Sequence, residues 1–486
     1  MIPIGQLLAH HAARDPHRAA ITFGEEVVSR TELDVRSTRR ARMLRALGVG
    51  LGDMITVALP NGLEIYETTF ALWKLGAIPN IVSAKLPDAE LGAIVQLVDP
   101  KLVIGADPSR LPGRSVLPAG RRVDPTLSAE ALEPEVSPQW KAMTSGGSTG
   151  RPKVIVDHMP GVYSPDAPAL LQQVDDVLLN PGPLYHNAPF ASMHTGLFTG
   201  AHVVEMGRFD ASEALTLIGR HGVQWVNLVP TMMTRIWKLP ETERLAADMS
   251  SLRIVFHMAS ACPEWLKASW IDWLGPDRIF ELYGGTERQG LTIISGREWL
   301  ERRGSVGKVA PGSSMRVMNA DGRDCAPGEI GEIYFLPEAG RGATYHYIGA
   351  DAKASGDWES LGDLGRIDED GYLYLVDRRT DLILSGGANV YPAEVEAAVD
   401  SHEEVLSSAV VGLPDDDLGQ RVHAIVQRRE GSRLSTADLL AHIGKGLARY
   451  KVPRSVEFVT TPLRDDAGKV RRTALRDERA ARTPAG

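Results

Sequence analysis

The sequence predicts an α/β protein with a large N-terminal domain of layered α/β sheets and a small α+β C-terminal domain. Its 486 residues suffice for several domains of the usual ~100–200 residues. Short apolar segments alternate with amphipathic helical segments along most of the chain, an order typical of largely parallel sheets covered by helices. After about Asp381 the segments become shorter and fill roughly 100 residues, the size of a separate compact unit.

The first elements show this alternation. Residues 31–47 are predicted to form a helix, because Leu33, Ala41 and Leu44 recur at spacings close to one or two helical turns. Gly48 follows as a C-terminal cap. The other predicted elements of the large domain are a strand at 55–60, helices at 64–75 and 212–222, a strand at 225–229 and a helix that begins at Pro230.

Residues 105–140 are rich in proline and lack periodicity, so we expect a surface connection there. The C-terminal unit is expected to be compact. Its predicted elements are helices at 392–399 and 435–450 and strands at 407–412, 422–427 and 455–459. The last residues, rich in Arg and Ala and ending at 483–486, are expected to form a frayed tail.

The composition narrows the class of protein. Hydrophobic residues make up 43% and charged residues 24%, which excludes wholesale disorder and a coiled coil. A net charge of −9 disfavours nucleic acid and anionic lipid as partners and favours a small molecule. The only cysteines, Cys262 and Cys325, are too few for a disulfide framework or a cysteine-based zinc site. With no apolar run of ~20 residues and no secretory signal, we expect a cytoplasmic protein without an integral membrane segment.

The sharpest local signal is the segment 144–153, which reads Thr-Ser-Gly-Gly-Ser-Thr-Gly-Arg-Pro-Lys. Its glycines let backbone N–H groups turn toward an anion, its hydroxyls can donate to phosphate oxygens, and Lys153 adds a point charge. Because Lys153 follows a proline and precedes Val154, the loop is not of the GTPase type. The residues predicted to bind phosphate are Thr144, Ser145, Gly146, Gly147, Ser148, Thr149, Gly150 and Lys153.

This segment resembles the signature loop of the adenylate-forming superfamily, which contains acyl-CoA synthetases, firefly luciferase and nonribosomal-peptide adenylation domains. Further motifs of that family follow in the family's order and cover nearly the whole chain. They lie at 283–287 (Tyr-Gly-Gly-Thr-Glu), 362–365 (Gly-Asp-Leu-Gly), 377–381 (Asp-Arg-Arg-Thr-Asp), 385–396 and 468–472 (Gly-Lys-Val-Arg-Arg).

The resemblance implies a role for each motif. The implied nucleotide contacts are Tyr283 with Gly284 at the adenine, Thr286 at phosphate, Glu287 at Mg²⁺, Asp363 and Arg378 at the ribose, and Ser260 and Ala261 beside them. Lys469 is the implied catalytic residue, which bridges the two reacting groups, with Thr286, Glu287 and a pocket-gating His186 as the other catalytic residues.

The resemblance also implies two half-reactions. A carboxylate attacks the α-phosphate of ATP to give an acyl-adenylate and pyrophosphate, and after rotation of a mobile C-terminal domain a thiol attacks the acyl carbonyl. Thr380 is the implied hinge, which divides the chain into an adenylation domain at 1–379 and a lid domain at 380–486. Ser385, Gly386 and Gly387 are the implied coenzyme A contacts, since glycines let the pantetheine arm run close to the backbone.

The implied acyl pocket is apolar and aromatic. Its predicted residues are Tyr185, Asn187, Phe190, Trp225 and Met258. No Asp or Glu occurs between Leu184 and Gly200, where amino-acid-activating relatives hold the substrate ammonium, and an unpartnered buried ammonium is costly. A hydrophobic carboxylic acid, bulky and cyclic or fatty, is therefore expected.

Three functions remain open on the sequence. The first is an AMP-forming acyl-CoA ligase that uses ATP, Mg²⁺ and coenzyme A. The second is an adenylating enzyme that loads the pantetheine of a carrier protein, and the third is a non-catalytic nucleotide-binding relative. The sequence leaves a homodimer open as an assembly.

Overall fold

The computed structural model describes residues 1–146, 152–465 and 468–482. Its helices are Ile4–Arg14, Arg30–Ala46, Leu63–Lys74, Asp88–Val98, Asn187–Phe198, Ala211–His221, Pro230–Trp237, Glu241–Ala246, Glu264–Leu274, Gly296–Glu301, Pro392–Asp400, Thr436–Ile443 and Arg472–Arg482, with 3-10 turns at Pro108–Arg110 and Arg449–Lys451. Within these ranges, no helix combines the length and the apolar character needed to span a membrane.

The largest sheet has 14 strands across the described residues. From one edge to the other they are Ser313–Met318, Gly331–Pro337, Trp358–Ile367 (with Lys353–Ser355 beside it), Leu373–Arg378, Ser305–Val309, Leu291–Ser295, Ile279–Gly284, Ile254–His257, Trp225–Leu228, Val177–Asn180, His202–Glu205, Ala19–Phe23 and Glu26–Ser29.

The prediction of a largely parallel sheet holds for only one half of it. The strands from Ile279–Gly284 to Ala19–Phe23 run parallel, with helices between them in the chain. The strands that follow Gly284 are antiparallel. Among these antiparallel strands the chain forms only one short helix, Gly296–Glu301. A parallel pair needs a crossover of a dozen or more residues, usually a helix, so strands joined by shorter connections pair antiparallel.

A second sheet has seven strands in the described ranges. In spatial order they are Tyr345–Ile348, Pro152–Asp157, Ala142–Gly146, Ile78–Ile81, Met54–Val57, Leu102–Ile104 and Val116–Leu117. A two-stranded pair, Ile2–Pro3 with Val162–Tyr163, lies apart from it.

The main core lies between these two sheets. One continuous apolar cluster includes Ile55 and Ile81 of the second sheet and Val203 and Phe256 of the first. Aromatic side chains of the helices Leu63–Lys74 and Asn187–Phe198 fill the space between the sheets; they are Tyr66, Phe70, Trp73, Phe190 and Phe198, each at most 1% exposed. A second cluster covers the opposite face of the parallel strands, so those strands are buried on both faces.

Local signals set the helix ends where they were predicted. The helix Arg30–Ala46 begins with a capping box in which Ser29 Oγ accepts from the backbone N–H of Glu32 and the Glu32 carboxylate accepts from that of Ser29. The helix Ala211–His221 ends at Gly222, whose φ of +61° is a left-handed cap. The predicted helix ends in this domain therefore fall within one residue of the observed ones, whereas the strand predicted at 55–60 is Met54–Val57.

The C-terminal unit is the predicted α+β domain, with two strands that were not predicted, Ile383–Ser385 and Ala388–Val390. Its sheet contains Ala388–Val390, Ile383–Ser385, Gly419–Arg428, Val405–Asp415 and Ser455–Val459. The predicted helix 435–450 ends at Ile443, because Gly444 and Gly446 follow and glycine disfavours helix.

The expected frayed tail is wrong for residues up to 482. They form the helix Arg472–Arg482, which is held to the domain by Arg479. Its guanidinium donates to both carboxylate oxygens of Glu457, at 2.5 and 3.1 Å, and Arg479 is 8% exposed. Residues 483–486 lie outside the described ranges.

Polar contacts join the two domains. The Lys238 ammonium of the large domain donates to the backbone oxygens of Asp400 and Val405 in the small domain. Arg471 of the small domain pairs with Glu90 of the large one at 3.3 Å. These contacts hold the small domain over one edge of the large one.

Candidate active site

A cleft of about 3040 Å³ separates the two domains. The parallel strands of the large sheet end at it, so that Asn227, Met258 and Tyr283 all line its wall. Carboxyl ends of parallel strands are the usual place for a ligand in α/β sheets, because loops and helix starts converge there. Thr380 and Lys469 line it from the other side.

The phosphate-loop segment connects two antiparallel strands. Ala142–Gly146 pairs with Pro152–Asp157, with Ser145 opposite Lys153, so the segment is a hairpin connection and not a strand-to-helix turn. Thr144 and Lys153 line the cleft. Of the other predicted phosphate contacts, Gly147, Ser148, Thr149 and Gly150 lie outside the described residues, and for Ser145 and Gly146 only the backbone is described.

Glu287 sits at the centre of a polar cluster and is only 5% exposed. Its Oε1 accepts a hydrogen bond from the Tyr347 hydroxyl at 2.6 Å and lies 3.4 Å from the Lys153 Nζ. That Nζ also stands 3.9 Å from the centre of the Tyr347 ring, a cation–π contact. Burial and the Glu287 carboxylate raise the pKa of Tyr347, which therefore remains a hydrogen-bond donor. Tyr347 thus orients both charged groups.

The second carboxylate oxygen of Glu287, Oε2, lies against Gly285. A Cβ at Gly285 would come within 2.6 Å of that oxygen, so a larger residue would displace it. No group of three or more His, Cys, Asp or Glu in the described part of the chain could hold a metal. One carboxylate beside a phosphate site nevertheless fits Mg²⁺, which commonly binds through one or two carboxylates, substrate phosphates and water.

The residues predicted to contact the ribose and the adenine also lie together. The Tyr283 hydroxyl donates to Asp363 Oδ2 at 2.9 Å, and Arg378 Nε donates to Asp363 Oδ1 at 3.2 Å. Asp363 and Arg378 are direct neighbours across two antiparallel strands. Burial, followed by the Asp363 charge, raises the pKa of Tyr283 well above its usual value. The remaining predicted nucleotide residues in the cleft lining are Ser260, Ala261, Gly284 and Thr286.

Lys469 reaches the cleft from the small domain. Gly468 before it has a φ of +75°, and a Cβ there would lie 2.7 Å from Thr231 Oγ1, so glycine lets this loop approach the large domain. Lys469 lines the cleft and keeps access to solvent. Burial between the domains and the nearby Arg378 charge lower the pKa of Lys469, while Glu287 opposes this shift. Lys469 therefore lies within electrostatic reach of both halves of the nucleotide site.

The implied coenzyme A residues lie elsewhere. Gly386 and Gly387, at φ values of +57° and +80°, form the turn between Ile383–Ser385 and Ala388–Val390. Both are exposed and, with Ser385, lie outside the cleft lining. In this arrangement of the domains, Lys469 faces the cleft and the glycine turn does not.

Thr380 lies where the chain passes from one domain to the other. Arg379 is bound to the large domain, because its guanidinium donates to Glu332 at 3.1 Å. Asp381 is bound to the small domain, where it accepts from Arg472 at 2.8 Å. The residue between these two anchors has only a weak side-chain contact of its own, at 3.4 Å to Asp381.

The acyl-pocket predictions divide into two groups. Tyr185, His186, Asn187 and Met258 line the cleft. Phe190 and Trp225 do not, contrary to the prediction, since both side chains are 0% exposed and belong to the core behind the pocket wall. An apolar residue in a pocket segment is indistinguishable by sequence from one that faces the core.

Beneath this wall lies a buried polar network that the sequence analysis did not identify. The Glu205 carboxylate accepts hydrogen bonds from Tyr66 at 2.5 Å, from Asn61 at 2.7 Å and from Asn180 at 2.8 Å. Asn61 also binds the backbone oxygen of Gly182 and the N–H of Leu184, at 2.9 Å each. The network therefore holds the loop that leads into Tyr185 and His186.

Tyr347, Asn227 and Glu205 are the main residues missed by sequence reasoning. Tyr347 lies 60 residues from Glu287 in the chain, and no local pattern connects them. Asn227 and Glu205 did carry a weak signal, because each is a polar residue at or next to the carboxyl end of a mainly apolar strand. Polar residues at such strand ends commonly face a ligand or a buried network.

Known proteins resemble the chain over its full length. Residues 8–339 match the AMP-binding enzyme family, and residues 394–469 match the AMP-binding enzyme C-terminal domain. The long-chain-fatty-acid–CoA ligase FadD13 of Mycobacterium tuberculosis is 30% identical over 99% of each chain. The feruloyl-CoA synthase of an Amycolatopsis species is 31% identical over 97% of this chain and 98% of that protein.

The fold agrees with solved structures. The o-succinylbenzoate CoA synthetase MenE of Bacillus subtilis, solved with the acyl-adenylate intermediate OSB-AMP, superimposes with a TM-score of 0.81 at 26% identity, covering 97% of this chain and 98% of that one. The same enzyme has been solved with ATP and a magnesium ion. Together with the motif order and the cleft between two domains, these matches show that the chain belongs to the AMP-binding, adenylate-forming enzymes, with a large N-terminal and a small C-terminal domain.

Proposed function

We propose that this protein is an AMP-forming acid–CoA ligase that activates a hydrophobic carboxylic acid. It would use ATP and Mg²⁺ to form an acyl-adenylate and pyrophosphate, and then transfer the acyl group to coenzyme A with release of AMP. The observation that carries the proposal is the convergence of Lys469 with Lys153–Glu287 and Asp363–Arg378 on one cleft between the domains.

The first step needs charge stabilisation more than acid–base chemistry. A carboxylate is a weak nucleophile toward an anionic phosphate, so the reacting groups must be held in line and the developing charge offset. Lys153 and Lys469 would place positive charge on two sides of the phosphates, and Asp363 would hold the ribose. Glu287 would bind Mg²⁺, which supplies further positive charge at the phosphates.

The second step is proposed to require rotation about Thr380. In this arrangement Lys469 lines the cleft, as its proposed role in adenylation requires, and the Ser385–Gly387 turn lies outside the cleft lining. A rotation would move Lys469 out of the cleft and bring the Ser385–Gly387 turn into it. The anchors at Arg379 and Asp381 support a boundary between residues 379 and 380.

The proposed acid is hydrophobic and bulky, either cyclic or fatty. The cleft wall near Tyr185 and Met258 is apolar, and no acidic residue between Leu184 and Gly200 could hold a substrate ammonium. Relatives named for fatty and aromatic acids support this class.

The proposal is tested by acid-dependent pyrophosphate release from Mg·ATP across fatty, aromatic, steroid and amino acids, with and without coenzyme A. We expect release with a hydrophobic class and an increase when coenzyme A is added. Release that ignores coenzyme A but responds to a pantetheinylated carrier protein would favour the carrier-protein alternative. ATP binding without release from any acid would favour the non-catalytic alternative.

Two further expectations belong to this proposal. A cytoplasmic location is supported by the scarcity of cysteine, and fractionation of the native host would test it. We also propose a homodimer, which light scattering of the purified protein would test.

A further inference from the structure

The cleft wall near Tyr185 and Met258 contains a deeply buried polar group that has no hydrogen-bond partner in the described structure. Asn227 is 6% exposed, lines the cleft, and its Oδ1 accepts no hydrogen bond. A buried acceptor left unsatisfied is unfavourable, so such groups in native proteins normally have a partner, which can be a ligand or a water.

Asn227 ends a row of polar side chains across three parallel strands. Glu205 and Asn180 are register partners on neighbouring strands. On the next strand Val226 pairs with Leu179, so Asn227, one residue further along, stands beside Asn180. Glu205 and Asn180 satisfy each other through two hydrogen bonds at 2.9 and 2.8 Å. The row is thus internally bonded at its buried end and unbonded at the end that faces the cleft.

On the side away from Asn180, the neighbours of Asn227 are apolar. Its register partner on the following strand is Phe256, and Met258, two residues further along, lines the cleft. Ala188, Ala191 and Leu170 line the same cleft. An amide in this setting carries no charge, so it selects a neutral hydrogen-bonding group and would leave a second carboxylate or an ammonium without a counter-ion.

We propose that the acid activated by this enzyme carries a neutral hydroxyl or N–H group on its apolar body, and that Asn227 binds it. This inference rests on the proposed function, since it concerns the acid that enters the same cleft. A hydroxyl suits the amide in either orientation, because it can donate to Oδ1 or accept from Nδ2. Asn187, whose Oδ1 is also buried without a partner, lies on the same wall and is the alternative contact.

Such an amide should discriminate against the unsubstituted acid. A site built to bond a hydroxyl leaves its own polar group unpaired when the hydroxyl is missing, which penalises the analogue more than a lost apolar contact would. We expect a preference of at least about tenfold, up to about 100-fold, for the hydroxylated member of a matched pair.

The test compares non-reactive acyl-sulfamoyl adenosines of matched acids, such as cinnamate with 4-hydroxycinnamate and a fatty acid with its ω-hydroxy derivative. Dissociation constants are measured by calorimetry, and kcat/KM of the free acids by pyrophosphate release. In the wild-type protein we expect tighter binding of a hydroxylated member. Equal affinity within both pairs, as expected if Asn227 binds only a water, would overturn the inference without the need of a variant.

Two variants test which amide binds the hydroxyl or N–H group of the acid. Asn227→Leu keeps the size of the side chain and removes its hydrogen bonding, so we expect it to abolish the preference and to strengthen binding of the unsubstituted member. Asn187→Leu tests the alternative contact, and we expect it to keep the preference. Loss of the preference in Asn187→Leu alone would overturn the assignment to Asn227. If no acid supports pyrophosphate release while the binding preference persists, the ligase function fails and the Asn227 site stands.

Discussion

The nucleotide end and the acyl end of the cleft are built differently. At the nucleotide end, charged side chains from separate strands already bond one another: Glu287 with Tyr347 and Lys153, and Asp363 with Arg378. At the acyl end, the wall is apolar and its one deeply buried amide in the described lining, Asn227, has no partner. Under the proposed function, ATP would meet a prearranged charge network, whereas the acid would meet an apolar wall with a deeply buried amide that is free to bind it.

The largest expected effect is at Lys469, which lies over the nucleotide end. Lys469→Ala removes a charge placed where negative charge develops, so adenylation should slow by about 10²–10³-fold. Thioester formation from a supplied acyl-adenylate should stay within about twofold, because the lysine would have left the cleft at that step. Pre-steady-state pyrophosphate release and thioester assays measure the two steps separately.

The matched control for this variant is Lys101→Ala, at an exposed lysine outside the cleft lining. It should leave both steps unchanged. An equal loss of both steps in Lys469→Ala would contradict the assignment of Lys469 to adenylation alone.

A slightly smaller loss of activity is expected when Glu287 is replaced. Glu287→Gln keeps the hydrogen bond to Tyr347 but removes the negative charge, so kcat/KM for ATP should fall by about 10²-fold and more Mg²⁺ should be needed for half-maximal rate. Tyr347→Phe removes only the orienting hydrogen bond and should cost about tenfold or less. Unchanged magnesium dependence in Glu287→Gln would place the metal elsewhere.

The next effect concerns the ribose contact. Asp363→Asn weakens acceptance of hydrogen bonds from the ribose, Tyr283 and Arg378, so KM for ATP should rise by about 10- to 100-fold. The wild-type enzyme should prefer ATP to 2′-deoxy-ATP, and the variant should lose most of that preference. If the variant discriminates between the two nucleotides as well as the wild type does, Asp363 has another role.

The smallest effect on activity is expected at Glu205, beneath the acyl end. Burial raises the pKa of Glu205 from 4.5 to about 8, so the folded state binds the proton more tightly than the unfolded chain does. The free energy of unfolding contributed by this group is therefore greatest below about pH 4.5 and declines as pH rises toward 8. Glu205→Gln cannot ionise, so its free energy of unfolding should not show this decline with pH. The decline in the wild type amounts to at most about 1.4 kcal/mol for each unit by which folding raises the pKa of Glu205.

Denaturant unfolding at pH 5 to 8 measures this difference. Relative to the wild type, Glu205→Gln should gain stability as pH rises, and its activity should change by less than about threefold, because the neutral amide resembles the protonated carboxyl. Glu25→Gln, at an exposed glutamate, is the control and should follow the wild type. A constant stability difference across this pH range would mean that Glu205 does not titrate there.

Local sequence was informative where function depends on short segments. Lys469 follows Gly468, and Asp363 and the residues from Tyr283 to Glu287 lie in short glycine-containing segments, so motifs revealed them although several of their partners are distant in the chain. Strand and helix alternation likewise predicted the parallel half of the large sheet. The antiparallel half was missed because its strands follow one another without the long crossover helices that mark parallel pairs. The helix Arg472–Arg482 was missed because Glu457 holds it from another strand.

The sequence by itself determined the layered α/β class, the two domains and the residues proposed to handle the nucleotide. Only the tertiary structure decided which apolar residues of the acyl segment face the cleft, placing Met258 there and Phe190 in the core. It alone brought Tyr347 to Glu287 and left Asn227 unpartnered in the wall. The physical reason is that helix caps, turns and phosphate loops depend on neighbours in the chain, whereas burial and pairing depend on residues that only folding brings together.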